Sequence, residues 1–148
     1  LKGDYDTALK YFQQSLDIQQ QIANVRVQAA TLDGISLIYN AKGDYDTAYS
    51  ELFAPDAWSI EPEGVPNAKA HGVEAIKERG KQFNAMIQEM HSGYFGEPII
   101  AGNFFSVAMG MEVTFKGAPA PTKMDEIVIY EVQNGKIVKE KFFYTPEQ

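Results

Sequence analysis

The hydrophobic positions of this chain change period partway along it. Over residues 5–22, Ala8, Phe12, Leu16, Gln19 and Ile22 fall on one stripe at three- and four-residue steps, which predicts a helix. Gly3-Asp4 supply a turn and an N-cap before it. Residues 25–41 predict a second helix, with Val25, Ala29, Leu32, Ser36 and Tyr39 inward. Gly43-Asp44 break it, and residues 45–53 predict a third, short helix ended by Pro55. A strand is expected over 56–61, stopped by Pro62, then a Gly/Pro/Ala loop over 63–72. Residues 72–90 predict a long amphipathic helix, with Val73, Ile76, Gly80, Phe83, Ile87 and Met90 on one side. Strands follow over 94–101, 104–115, 124–132 and 136–144. In the second of these, Phe105, Val107, Met109, Met111, Val113 and Phe115 alternate onto one face. Asn134-Gly135 predicts a tight type I′ turn between the last two. Helices first and an antiparallel meander afterwards predict an α+β fold, with helices on one side of a curved sheet.

A word is repeated across the change of period. Lys-Gly-Asp-Tyr-Asp-Thr-Ala occupies residues 2–8 and again 42–48. Residues 31–39, Thr-Leu-Asp-Gly-Ile-Ser-Leu-Ile-Tyr, followed by the second copy, resemble the first helix, turn and second-helix start of a tetratricopeptide repeat. Residues 3–22 resemble the second helix of a preceding unit. The resemblance covers about one and a half repeats, fewer than the roughly three units a solenoid needs for a continuous core. The helix over 5–22 is therefore expected to pack on residues 25–41 alone and to be dispensable for the rest.

Residues 43–145 resemble the SnoaL-like group of the nuclear transport factor 2-like superfamily. Three stretches in the right order carry the likeness. They are residues 52–64 (Leu-Phe-Ala-Pro-Asp-Ala-Trp-Ser-Ile-Glu-Pro-Glu-Gly), 72–76 (Gly-Val-Glu-Ala-Ile) and 134–138 (Asn-Gly-Lys-Ile-Val). The resemblance implies a cystatin-like cone, with residues 1–42 as a tetratricopeptide-like extension and 43–148 as the cone. The helix over 25–41 is expected to serve both.

Composition narrows the chemistry. A net charge of −7 with scattered Lys and Arg argues against nucleic acid. The chain has no cysteine and two isolated histidines, so no metal-ligand spacing is present, and neither a metal nor a cofactor is expected. Apolar runs are too short to span a membrane. No signal peptide is visible, and a cytoplasmic protein is expected. The chain opens on Leu1 rather than Met, so a sequence incomplete at its N-terminus is expected.

Glu61 leads the catalytic candidates. Glu61-Pro62-Glu63-Gly64 resembles the strand end at which the ketosteroid isomerase branch of the superfamily carries its general base. A carboxylate at a strand end, aimed into an apolar cone, has its pKa raised by desolvation. The same branch implies a second acid opposite the base, where Asp125 or Glu126 lies, and a tyrosine on the first helix. That position holds Ser36, with Tyr39 one turn later. His91, near the expected opening of the sheet, is a further acid/base candidate. Candidate ligand contacts are Tyr39, Trp58, Phe83, Ile87, Met109, Met111 and Tyr130. Met109 and Met111 form an adaptable apolar surface that suits a pocket for a flat ligand, and equally a dimer face or plain core. Trp58 has opposite parity to Glu61 and is expected on the other face of its strand.

Three functions stay open on the sequence. The first is a domain binding a small apolar or aromatic molecule. The second is an isomerase, cyclase or hydratase with Glu61 as base. The third is an interaction module holding a peptide on its helices, which so short a helical array supports poorly. Aromatic residues of both parities at 142–144 predict a sheet covered on both sides, and so a homodimer.

Overall fold

The computed structural model describes residues 8–14 and 45–146. Residues 8–14 are helical (α1). The expected helix over 25–41, and with it Ser36 and Tyr39, lies outside the described residues. From residue 45 the order is α2 (Tyr45–Leu52), β1 (Phe53–Ile60), β2 (Lys69–His71), α3 (Val73–Met86), β3 (Ile87–Phe95), β4 (Ile99–Ala101), β5 (Phe104–Phe115), β6 (Thr122–Gln133) and β7 (Lys136–Phe143). The seven strands form one curved sheet in the order β2-β1-β7-β6-β5-β3, with β4 also paired to β5. All pairs are antiparallel except β1 with β7. The architecture is the expected α+β.

Register fixes which side chains share a face, because residues directly opposite point the same way. Phe105 is opposite Tyr130, Tyr130 is opposite Glu140, and Glu140 is opposite Ser59. One row thus crosses four strands. Beside it, Val107 faces Val128 and Met109 faces Glu126. This is the inner face. Phe105, Val107, Val132 and Ile137 join Ile76 of α3 and Leu52, Phe53 and Ala57 in one buried cluster. Burying a side chain of this size contributes about 1.5–3 kcal/mol, so the cluster anchors the helices to the sheet.

The Asn134-Gly135 turn forms as expected, both residues having positive φ of 51° and 72°. That turn also touches a helix end. Lys136 Nζ donates to the backbone carbonyls of Glu51 at 2.5 Å and Ser50 at 3.3 Å. A cation there satisfies carbonyls left open by the last turn of α2 and opposes the helix dipole.

Four expectations are corrected. The long helix stops at Met86, not 90. Ile87 takes extended angles (φ −78°, ψ 127°) and β3 begins at once, because residues 87–95 complete a ladder on β5 that outweighs their helical spacing. The strand expected over 94–101 is split, since Gly96, Glu97 and Pro98 lie between β3 and β4 and Pro98 has no N–H to donate. The loop expected over 63–72 contains β2, too short to show a period but paired to β1 from Trp58↔His71 to Ile60↔Lys69. Finally, α1 does not rest on residues 25–41 alone. Leu9 and Phe12 pack against the core cluster, so these helical residues add apolar contact to the sheet domain itself.

Candidate functional site

Strand parity brings a polar cluster together on the inner face. Ser59 is fully buried in β1. Glu61 follows two residues on, where its N–H donates to the Ala68 carbonyl at 2.7 Å and closes the loop. Arg79 reaches in from α3. It donates through Nη2 to Ser59 Oγ, and the same nitrogen lies 3.5 Å from Glu61 Oε1. Ser59 O–H donates to Glu140 Oε1 at 2.5 Å. The Tyr144 hydroxyl donates to Glu61 Oε2 at 2.9 Å. Glu126 completes the set beside Met109. Glu61 and Glu140 therefore share one guanidinium, one serine and one tyrosine, with Glu126 close enough to feel the charge of Glu61.

The environment moves Glu126 and Glu140 toward neutrality. Burial pushes Glu126 up to about 7, and the negative charge of Glu61 adds to the effect. Burial also pushes Glu140 up to about 7. The Ser59 hydrogen bond and Arg79 oppose that shift, and Glu61 and Glu126 reinforce it. Tyr144 is pushed up to about 12 by burial first and by its hydrogen bond to Glu61 second, so it acts as a donor. An acid that titrates near neutrality can both give and take a proton, which is the property of a general acid–base pair.

The remaining candidates separate by face. Asp125 and Glu126 are neighbours in β6 but point apart. Asp125 lies outside, accepting from the Tyr94 hydroxyl at 3.0 Å and 3.4 Å from Lys123 Nζ. His91 sits in β3, with Nε2 2.7 Å from Thr114 Oγ1 and Nδ1 4.0 Å from Glu89. Neither belongs to the Glu61 cluster. Trp58 takes the face opposite Ser59 and stacks on His71, with centroids 4.1 Å apart. Met109 and Tyr130 pack against the core cluster, and Tyr130 stacks on Phe105 at 4.7 Å. Phe83 meets Phe115 edge-on at 6.1 Å, and Ile87 lies opposite Phe115. Met111 shares their side of β5. Tyr39 lies outside the described residues. Among the described residues no group of three or more metal-ligating side chains exists, and no helix is long and apolar enough to cross a membrane.

Ser59, Arg79, Glu140 and Tyr144 were not foreseen. A signal existed for two of them. Val138, Glu140, Phe142 and Tyr144 alternate along one side of the last strand, and a lone glutamate in such a row marks an inward charge. Arg79 lies beside the stripe of Ile76, Gly80 and Phe83, but sequence alone does not tell a snorkelling arginine from one turned inward.

Residues 33–144 match the SnoaL-like domain family, and the chain belongs to that family. Residues 1–49 match the tetratricopeptide repeat, so the two matches overlap over residues 33–49. A protein from Mesorhizobium loti named as a SnoaL-like polyketide cyclase is 30% identical. Its structure superposes with a TM-score of 0.66, covering 78% of this chain and 98% of that one. A Bacillus subtilis protein named as an isomerase is 18% identical, with a TM-score of 0.70 over 83% of this chain and 90% of its own. TerC, co-crystallised with polyporic acid, is 20% identical, with a TM-score of 0.65 over 82% and 92%. The last two likenesses concern the fold alone. No curated protein matches the chain.

Proposed function

We propose that the chain binds a small apolar or aromatic molecule against the inner face of its sheet. We further propose that it moves a proton on that molecule, with Glu61 as base and Glu126 as its acid partner. The observation that carries this is the placement of both carboxyls on the inner face, where a polar cluster borders apolar side chains and Glu126 lies directly opposite Met109. Desolvation there holds Glu126 near neutrality, where proton exchange is easiest at working pH. Met109, Met111 and Tyr130 supply surface for a flat ring. The M. loti protein's name, a cyclase, belongs to the same broad class of chemistry. A flat methyl ketone, 2-acetylnaphthalene, tests both halves. In D₂O the protein is expected to bind it and to speed exchange of its methyl protons. Glu61→Gln should slow that exchange by about two to four orders of magnitude with binding retained. No binding by any flat aromatic ends the reading; binding with exchange indifferent to Glu61→Gln leaves a binding domain only.

We divide the chain into residues 1–42 and 43–148 with 25–41 shared, and the overlap of the two family matches over 33–49 supports the sharing. The outer face supports a homodimer. Ile99, Phe104, Ile127, Ile129 and Phe143 are exposed there, Ile99 to 75%. The groove lined by Phe104, Ile129, Glu131, Lys139 and Lys141 runs between them. Exposed apolar side chains bordered by charged ones in this way favour a protein contact. Light scattering at micromolar concentration should give twice the monomer mass, and a monomer would count against the dimer.

A further inference from the structure

We infer that Arg79 Nη1 is the donor that receives an oxygen atom of the ligand, which makes Arg79 the residue that selects oxygenated ligands over hydrocarbons. This rests on the proposed ligand-binding reading of the inner face. Arg79 uses one of its two terminal nitrogens for protein. Nη2 serves Ser59 Oγ and lies 3.5 Å from Glu61 Oε1. Nη1 is buried and has no hydrogen-bond partner among the described residues.

A guanidinium is a fork whose donors are fixed in one plane. With Nη2 anchored, the direction of Nη1 is fixed too, and its N–H groups cannot swing to another acceptor. Leaving such a charged donor buried and unpaired costs more than a neutral one, at least about 1–3 kcal/mol. Groups of this kind in native proteins call for a reason, and a functional one is common. Here the neighbours supply it. The same guanidinium touches Glu61, so an oxygen held by Nη1 lies within one side chain's width of the base.

The chemistry then balances without any other reagent. The Glu61 carboxylate takes a proton from the carbon next to a carbonyl. The C–H electron pair becomes the new C=C bond, and the carbonyl π pair moves onto oxygen. The resulting enolate faces the positive guanidinium, which stabilises charge where it develops. Return of the proton from Glu61 to carbon restores the carboxylate. A neutral carbonyl suits the place better than a carboxylate ligand, because Glu61, Glu126 and Glu140 already surround it with negative charge.

The test compares two ligands of nearly equal shape, 2-acetylnaphthalene and 2-ethylnaphthalene. Wild-type protein is expected to bind the ketone about tenfold more tightly than the hydrocarbon, as a hydrogen bond to a charged donor should do. The ketone's carbonyl ¹³C signal should move downfield on binding. In Arg79→Met the preference, read as the ratio of the two affinities in that same variant, should vanish. Arg79→Lys keeps a charge but not the fork, and should lose most of the preference. If both ligands bind wild type equally and the carbonyl signal does not move, the role of Arg79 is overturned and the binding reading stands. If neither binds, both fall. The carbonyl shift is read on wild-type protein, so the inference stays testable even if the Arg79 variants do not fold.

Discussion

Glu140→Gln is expected to stabilise the fold near pH 8 by about 2–3 kcal/mol. Glu140 is 6% exposed, and its carboxyl is pushed from 4.5 up to about 7. A gap of this size corresponds to about 3 kcal/mol between the two protonation states. The sign follows from the direction. Between the unfolded and folded values the folded chain holds a proton that the unfolded chain has released. Stability from this group is therefore full below about pH 4.5, falls as pH rises, and is at its lowest above about 7. Glutamine keeps an oxygen to accept from Ser59 and cannot ionise. Glu126 is raised the same way, but its partial exposure reduces its share. Urea unfolding of both proteins at several pH values measures the effect. The wild-type curve should drop relative to the variant from about pH 5 to pH 8. Parallel curves would mean that burial does not penalise the Glu140 carboxylate.

Gly110→Ala is expected to cost about 1–3 kcal/mol. Gly110 lies on the outer face, opposite Tyr94 on one side and Asp125 on the other. The Tyr94 ring crosses over it to reach Asp125. A methyl group at residue 110 would come within 2.5 Å of Asp125 Oδ1, 2.6 Å of Tyr94 Cε1 and 2.8 Å of the Met124 carbonyl oxygen. The first two can swing away, at the loss of their hydrogen bond. The third is backbone of the neighbouring strand and yields only if the ladder shifts. Besides the drop in unfolding free energy, the variant has an optical signature. The hydrogen bond to Asp125 is the main cause that raises the Tyr94 pKa. Displacing the ring should bring tyrosinate absorbance at lower pH. A variant with unchanged stability and an unmoved tyrosine titration would show that the crowding relaxes freely.

The strands most legible in the sequence were those whose burial is one-sided. In β5 the alternation of Phe105, Val107, Met109, Met111 and Val113 fixed both bounds, 104 and 115. The Asn134-Gly135 turn was equally plain, because positive φ at two successive residues restricts composition. The passage from α3 to β3 carried no such mark. Met86 and Ile87 adjoin with no glycine or proline between them, and Ile87 and Met90 continue the helical spacing. Only the pairing of β3 with β5, a contact distant in sequence, decides the conformation. The site divides along similar lines. Glu61 stood out beside Pro62 and Gly64, and strand parity separates Glu126 from Asp125. The partners that set their chemistry were hidden, because Arg79 and Glu140 approach from other elements and nothing local marks a long side chain as inward.

The parallel pairing of β1 with β7 has a consequence for synthesis on the ribosome. β1 emerges early, yet of its two neighbours one is the three-residue β2 and the other is the last strand made. The Ser59–Glu140 hydrogen bond closes a separation of 81 residues. Loops of that length form slowly relative to local contacts. Until β7 leaves the exit tunnel, β1 keeps an open edge and Ser59 and Arg79 lack Glu140. The polar cluster therefore cannot assemble before β7 has emerged. A message truncated before residue 136 would yield a sheet with a bare edge next to its core, the kind of surface that chaperones and proteases recognise. The order in which the strands are made thus ties completion of the site to the emergence of β7.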